Sequence, residues 1–317
     1  MLRFLIVRLA GALLVLALVA VIVFMLTRLA AGDPVALLLG DQASIADIAK
    51  VRAQYGLDQP LPAQFVLWLG QLLHGNLGQS LFLQQPVTQA LLDRAEPTLL
   101  LAFFAVAIAA LIGIPAGMAA AIWRGSAADQ VFSSLAMLGA SVPSFWLGLT
   151  LIQVFAVKLS WFPSSGYGDP TASFGERLQH LLLPAIVLGL VNSALIIRFT
   201  RAAMLDILGE DYVRTARAKG LAEATVMFKH VLRNSLVPIV TVLGLTMAVM
   251  IGGTVVTETV FNLPGVGNLV VRAVLRRDYP VIQGALLVIA AIYVFINFSI
   301  DIIYTLVDPR IRLETSA

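Results

Sequence analysis

The sequence predicts an all-α integral membrane fold of six transmembrane helices, with a small helical extracytoplasmic insert between the first two. Three observations carry this. Hydrophobic residues make up 59% of the 317 and charged residues only 12%, about half the charged share of a soluble domain. Six uncharged windows reach the roughly 20 apolar residues that span a bilayer. Lys and Arg gather in alternate connections, as membrane orientation demands. With a mean hydropathy of +0.92, the chain cannot cover a water-facing surface.

The first window, Leu9–Thr27, follows Arg3 and Arg8. An apolar run behind basic residues also fits a signal peptide. This run is longer than a signal core and lacks a small-x-small cleavage pattern before Arg28, so it reads as a retained first helix at about 9–28. Residues 30–96 form the insert. Its stretch Gln59–Leu92 is uncharged too, but Pro60, Pro62, Gln64, Gln71, His74, Asn76, Gln79, Gln84, Gln85 and Pro86 would be costly in hydrocarbon. Ser44 with Asp47 predicts a capping box, and Gly56 ends that helix before Pro60. A second helix is predicted over Pro62–Leu73, with Gly75 past its end. The windows Pro97–Trp123, Gln130–Val157, Leu178–Ile197, Asn234–Thr257 and Tyr279–Ile300 predict spans at about 98–123, 131–157, 179–198, 235–258 and 280–304. Pro115 and Pro143 should loosen or kink their helices. The run Phe261-Asn262-Leu263-Pro264-Gly265-Val266-Gly267 must turn sharply. No repeat or low-complexity linker divides residues 1–317, which read as one membrane domain.

With the N-terminus inside, the cytoplasmic pieces are the N-terminal tail, the turn at Arg124, the loop 199–233 and the tail with Arg310 and Arg312. That loop holds Arg201, Arg214, Arg217, Lys219, Lys229 and Arg233, just after Arg198. The opposite side has Lys158 and Arg177, then Arg272, Arg276 and Arg277, a cluster that runs against the rule. The sum still places both termini in the cytoplasm.

Within the loop, Glu210-Asp211-Tyr212-Val213-Arg214-Thr215-Ala216-Arg217-Ala218-Lys219-Gly220 reads as a short helix. Glu210 and Asp211 stand where a helix dipole favours anions, and Arg217 and Lys219 where it favours cations. Gly220 suits the left-handed position past the last turn. Tyr212, Ala216 and Gly220 recur every four residues, predicting a narrow small-residue face that docks against another protein. A charge run alone fits a solvated connector equally well.

Several chemistries are excluded. There is no cysteine, so thiolate catalysis and Cys-based metal sites are absent. No lysine follows a glycine, so no phosphate-binding G-x-x-x-x-G-K-[ST] loop exists and the chain should not hydrolyse ATP. His74, His180 and His230 are far apart in sequence, and no H-E-x-x-H occurs. No interleaved basic and aromatic pattern points to nucleic acid. Ionisable residues inside spans are functional candidates by default, which singles out Glu258, beside Thr254, Thr257 and Thr259, and Asp301. Both also fit interfacial residues reaching water. Uncharged polar residues such as Gln153, Asn192 and Thr246 either tie helices together or line a path.

Motifs along nearly the whole chain resemble those of bacterial binding-protein-dependent ABC importer permeases of the dipeptide/oligopeptide (peptide/nickel) type. They are Ala31-Gly32-Asp33-Pro34-Val35, Gly56-Leu57-Asp58-Gln59-Pro60, Gly75-Asn76-Leu77-Gly78-Gln79-Ser80 and Ser141-Val142-Pro143-Ser144-Phe145-Trp146-Leu147-Gly148. They continue with Asp211 to Leu221, Leu232-Arg233-Asn234-Ser235-Leu236-Val237-Pro238, Glu258-Thr259-Val260-Phe261, Pro264-Gly265-Val266-Gly267, Arg277-Asp278-Tyr279-Pro280 and Asp308-Pro309-Arg310-Ile311-Arg312. Two departures are visible. Asn76 stands where many relatives have Asp. The wider ABC permease loop signature begins Glu-Ala-Ala, whereas here Arg214-Thr215-Ala216 occupies the triplet and only Ala216 and Gly220 keep to it.

The resemblance implies a type I ABC importer permease fold in a bacterial inner (plasma) membrane, and a chain that forms half of a translocation pathway. Asp211, Tyr212, Arg214, Thr215, Ala216, Arg217, Ala218, Lys219 and Gly220 would be the coupling helix that enters a cleft of an ATPase subunit. Gln153, Asn192 and Glu258 would contribute to the pathway. The implied partners are a second, homologous permease in a heterodimer, two ATPase subunits, an extracytoplasmic solute-binding protein and the lipid bilayer. ATP and Mg would sit on the ATPase subunits, with no cofactor on this chain. Relatives of this type carry dipeptides, longer peptides, nickel chelates and glutathione. A membrane-embedded enzyme would need a catalytic cluster at membrane depth, and the sequence offers none. A stand-alone channel or secondary transporter would be expected to show inverted repeats, and none is found.

Overall fold

The computed structural model describes residues 2–29, 44, 46, 58–169, 171 and 173–307. The predicted capping box at Ser44 and Asp47, the stop at Gly56, and the motifs at 31–35 and 308–312 lie wholly or partly outside the described residues. The helices in chain order are α1 (Leu2–Leu29), α2 (Leu61–Leu73), α3 (Val87–Ile122), α4 (Ala127–Ser141), α5 (Ser144–Lys158), α6 (Phe174–Leu208), α7 (Asp211–Ala218), α8 (Glu223–Gly253), α9 (Val255–Val260), α10 (Val266–Arg276) and α11 (Tyr279–Val307). Among the described residues five helices are long and apolar enough to cross a membrane, or six if the α4–α5 pair counts as one span.

The span read over 131–157 is not one straight helix. α4 and α5 meet at 95°. Pro143 is the cause, because its ring pushes the preceding residue out of the helical region. Val142 accordingly is extended, at φ −81° and ψ 122°. Pro97 and Pro115, by contrast, lie inside an unbroken α3. α3, α6 and α8 also begin well before their uncharged windows, since a helix runs on through charged residues that hydrocarbon would reject. α2 and its stop match the reading from sequence, with Gly75 at φ +76°. The turn after Phe261 ends at Gly265, and Gly267 already lies buried in α10.

The chain forms two compact units. The described residues of one lie within 97–264 and 295–307, and those of the other within 2–96 and 265–294. In the first unit α3, α6 and α8 meet through Ala109, Ile196 and Val242. Glycines permit the close approach that helix packing in lipid relies on. A Cβ at Gly117 would stand 2.6 Å from the Ile197 carbonyl oxygen, and one at Gly189 would stand 2.5 Å from Ile108 Cγ2.

In the second unit Val87, Ala90 and Leu91 of α3 pack with Leu269 and Ala273 of α10 and with Val281 and Ala285 of α11. Phe24, Phe65 and Trp68 form an aromatic group with centroids 5.2–6.0 Å apart. Asp278 is buried between α10 and α11, where its carboxylate accepts from the Ser80 hydroxyl at 2.6 Å and from the Leu81 N–H at 3.3 Å. Arg277, in the left-handed region at φ +56°, turns the chain at this point.

Gly117→Ala is expected to destabilise the protein by about 1–3 kcal/mol through overpacking against rigid backbone. Gly11→Ala, where an added Cβ meets nothing within 4 Å, is expected to be neutral or slightly stabilising. Thermal denaturation of both variants in detergent, followed by loss of the monodisperse peak, checks the difference.

Candidate functional site

α7 follows Glu210, whose extended backbone (φ −71°, ψ 143°) makes it the residue before the first turn, and Asp211 occupies that turn. At the other end the Gly220 N–H donates to the Arg217 carbonyl at 2.9 Å and the Leu221 N–H to the Ala216 carbonyl at 3.4 Å. This paired pattern closes a helix on a left-handed residue, and Gly220 has φ +76°. The local reading from sequence is met in detail.

The face that α7 turns inward is a different matter. Val213 is 0% exposed and Ala216 6% exposed. They pack with Ala121, Met204, Val226, Met227 and Val231, edged by Leu205 and Leu208. Asp211, Tyr212, Arg214, Thr215, Arg217, Ala218, Lys219 and Gly220 are all exposed. The Tyr212–Ala216–Gly220 row therefore is not an open docking face. Ala216 holds the helix to its own chain, and the Tyr212 hydroxyl accepts from Asn234 Nδ2 at 3.0 Å. The signal missed was Val213, the one large aliphatic side chain in the charged run. Set three residues from Ala216, it defines the inner face.

Charge on the outer face is arranged in local pairs. Arg217 donates to Glu223 through Nη2 at 2.7 Å and Nε at 3.2 Å. That bond raises the Arg217 pKa further above its ordinary value. Arg214 lies 3.4 Å from Asp211 one turn back and donates to the Gly209 carbonyl. Both pairs are exposed, so each contributes at most about 1 kcal/mol. Lys219 is exposed beside them. The result is a basic, water-facing ridge on an apolar seat.

Around the ridge, α8 is not a regular helix at its start. Val226–Leu232 is π-helical, and three residues of that stretch, Val226, Met227 and Val231, provide much of the seat for α7. One turn before Met204, Arg201 makes a two-point ion pair with Asp129 of α4, at 2.7 and 2.8 Å. Sequence reading counted Arg201 only as loop charge and passed over Asp129. The available signal was Ser126 with Asp129 three residues on, a capping pair that opens α4; the Ser126 hydroxyl does accept from the Asp129 N–H.

The three residues expected along a pathway sit in different surroundings. Gln153 is exposed, within the π-helical stretch Ile152–Lys158. Asn192 is half-buried and donates from Nδ2 to the Leu188 carbonyl at 2.8 Å. Glu258 is 0% exposed. Its Oε1 accepts from the hydroxyls of Thr98 at 2.7 Å and Thr254 at 2.8 Å. In this conformation Glu258 ties α9 to α3 across the break at Thr254 and lines no open surface. Among the described residues no group of three or more His, Asp or Glu side chains is placed to hold a metal.

Membrane-length helices with an exposed helix between two of them define an integral membrane protein. The comparisons sharpen this. Residues 113–313 match the model of the binding-protein-dependent transport system inner membrane component, and residues 1–102 match that of its N-terminal region. The chain belongs to this family. It is 44% identical, over 96% of its length and 97% of the relative's, to "Probable peptide ABC transporter permease protein" of Sinorhizobium fredii. It is 42% identical, over 99% of its length and all of the relative's, to "Glutathione transport system permease protein" of Salmonella choleraesuis. An inward-facing structure of the MetNI methionine ABC transporter shares the fold, with TM-score 0.58 and 19% identity, covering 70% of this chain and 97% of that one. The protein is thus a multi-pass inner-membrane permease subunit of an ABC importer, a transport component and not a catalytic one.

Val213→Asp is expected to destabilise the loop by about 3 kcal/mol or more, because it buries an unpaired charge. Thr215→Asp, on the exposed face, should stay within about 0.5 kcal/mol of wild type. Limited proteolysis at the basic sites of 210–233 in detergent should show faster cleavage only in the first.

Proposed function

We propose that this chain forms half of the translocation pathway of an ATP-driven importer of di- or oligopeptides or similar small solutes. Residues 210–221 transmit the movement of a separate ATPase subunit. The single observation that supports this is the geometry of α7. A short helix too brief to persist alone is fixed on transmembrane helices by Val213 and Ala216, while its charged face is exposed. A push on that face moves the ends of α6 and α8 with it.

In this reading a second, homologous permease completes the pathway as a heterodimer. Two ATPase subunits bind ATP and Mg and grip the two coupling helices, and a solute-binding protein delivers cargo on the far side. Both chain termini face the cytoplasm, on the side of the Lys- and Arg-rich 199–233 loop. Names of close relatives support peptides or glutathione as cargo. Tyr212, Arg214, Thr215, Arg217, Ala218, Lys219 and Gly220 make the contact, with Asp211 at its edge. Gln153 and Asn192 contribute to the pathway, and Glu258 does so only after its ties to Thr98 and Thr254 open.

A tagged chain purified from native membranes in mild detergent should bring down two soluble ATPases and a second multi-span chain. Gly220→Asp places a side chain on a left-handed residue, costing about 1–2 kcal/mol, and Arg217→Glu reverses the ridge charge beside Glu223. Both variants are expected to remain in the membrane and to lose solute uptake. Normal uptake by both would remove the coupling assignment.

A further inference from the structure

α6 ends with two attachments one turn apart. Met204 is buried in the apolar seat of α7, with Leu205 and Leu208 at its edge. One turn earlier, Arg201 donates from Nε to Asp129 Oδ1 at 2.7 Å and from Nη2 to Asp129 Oδ2 at 2.8 Å. The side chain of Asp129 is 9% exposed and that of Arg201 31%. Asp129 is engaged on every side, since it also accepts from the Gly125 N–H at 2.9 Å and from the Ser133 hydroxyl at 3.3 Å. The first turn of α4 is therefore a single hydrogen-bonded knot with Asp129 at its centre and Arg201 joining it from α6. Beyond it, α4 touches α6 through small and aliphatic groups, Ala136 against Ala194 and Ile197. It then ends at Ser141, where the chain bends by 95° into α5.

We propose that the Asp129–Arg201 pair is a strut that carries displacement of α7 into the bent α4–α5 pair. This rests on the reading of α7 as the coupling helix. Apolar contacts are non-directional, and the small groups Ala136 and Ala194 interlock less than the larger Met204, Val213 and Val231 of the α7 seat. A planar guanidinium joined to a carboxylate at two points fixes both distance and orientation. When α7 moves, its seat on Met204 and Leu205 moves the end of α6. The strut makes the start of α4 follow. Without it, the smooth Ala136–Ala194 contact slips and the bend at Val142–Pro143 stays behind. Arg201 and Asp129 are positioning residues and touch no substrate. Lysine cannot replace Arg201, because a point charge makes no oriented two-point bond.

The sequence has no cysteine, so Ser141→Cys, a near-isosteric change at the exposed bend, supplies a single reporter on this chain. The full complex, purified with its ATPase subunits and placed in nanodiscs, is labelled with a membrane-impermeant maleimide, with and without ATP plus vanadate. ATP hydrolysis is measured on the same samples. The labelling rate at Ser141→Cys should change with nucleotide by about fivefold or more, the lower range for coupled sites. Arg201→Lys and Asp129→Asn should abolish that change while keeping the ATPase subunits and basal hydrolysis. A nucleotide response retained in both single variants, or a rate insensitive to nucleotide in the parent, overturns the strut. Loss of the ATPase subunits from the Arg201→Lys complex also overturns it, because the pair would then serve assembly alone. If the parent chain never binds ATPase subunits, it is the coupling reading itself that fails.

Discussion

Val213 and Ala216, buried against Met204, Val226, Met227 and Val231, decide which face of α7 meets water. Eight residues of helix do not persist alone in water, because helix nucleation is costly and few bonds follow it. Burying a side chain such as Val213 contributes about 1.5–3 kcal/mol, enough to hold so short an element in place. Every outward-facing charge of the ridge takes its direction from this contact. So does the link from α7 to the ends of two membrane-length helices.

A second regularity concerns the breaks between helices. Asp278 sits between α10 and α11 and holds Ser80, 198 residues away in sequence. Glu258 follows the break between α8 and α9 and holds Thr98, 160 residues away. Asp129 opens α4 after the turn at Gly125 and holds Arg201, 72 residues away. Lipid tails are as apolar as leucine, so the hydrophobic effect gives membrane helices little reason to choose one packing over another. In a chain with only 18 acidic residues, three of them placed at helix breaks supply directional bonds that the apolar faces cannot. Small residues do the complementary work along the helix shafts, where Gly117 and Gly189 bring backbones close to α6 and α3 side chains and carbonyls.

Much of this was legible in the residues themselves. Composition and uncharged windows determined the membrane class and the number of apolar segments, because hydrocarbon rejects charge wherever the chain folds. Glu210 to Gly220 determined a helix with its own start and stop, because dipole and left-handed preferences act within a turn. Pro143 after Val142 determined a disruption, though the size of the bend was not readable from one ring.

Tertiary structure alone decided what depends on long-range partners. The inward turn of Ala216 required knowing where Met204 and Val231 lie. Glu258 read as a lone acid in a span until Thr98, from a distant helix, was placed on it. Arg201 reads from sequence only as loop charge and Asp129 attracts no reading, because nothing local pairs residues 72 apart. Short-range steric and dipole preferences are written in the sequence at each position, whereas the pairing of polar groups across helices exists only once packing has brought them within a hydrogen bond of each other.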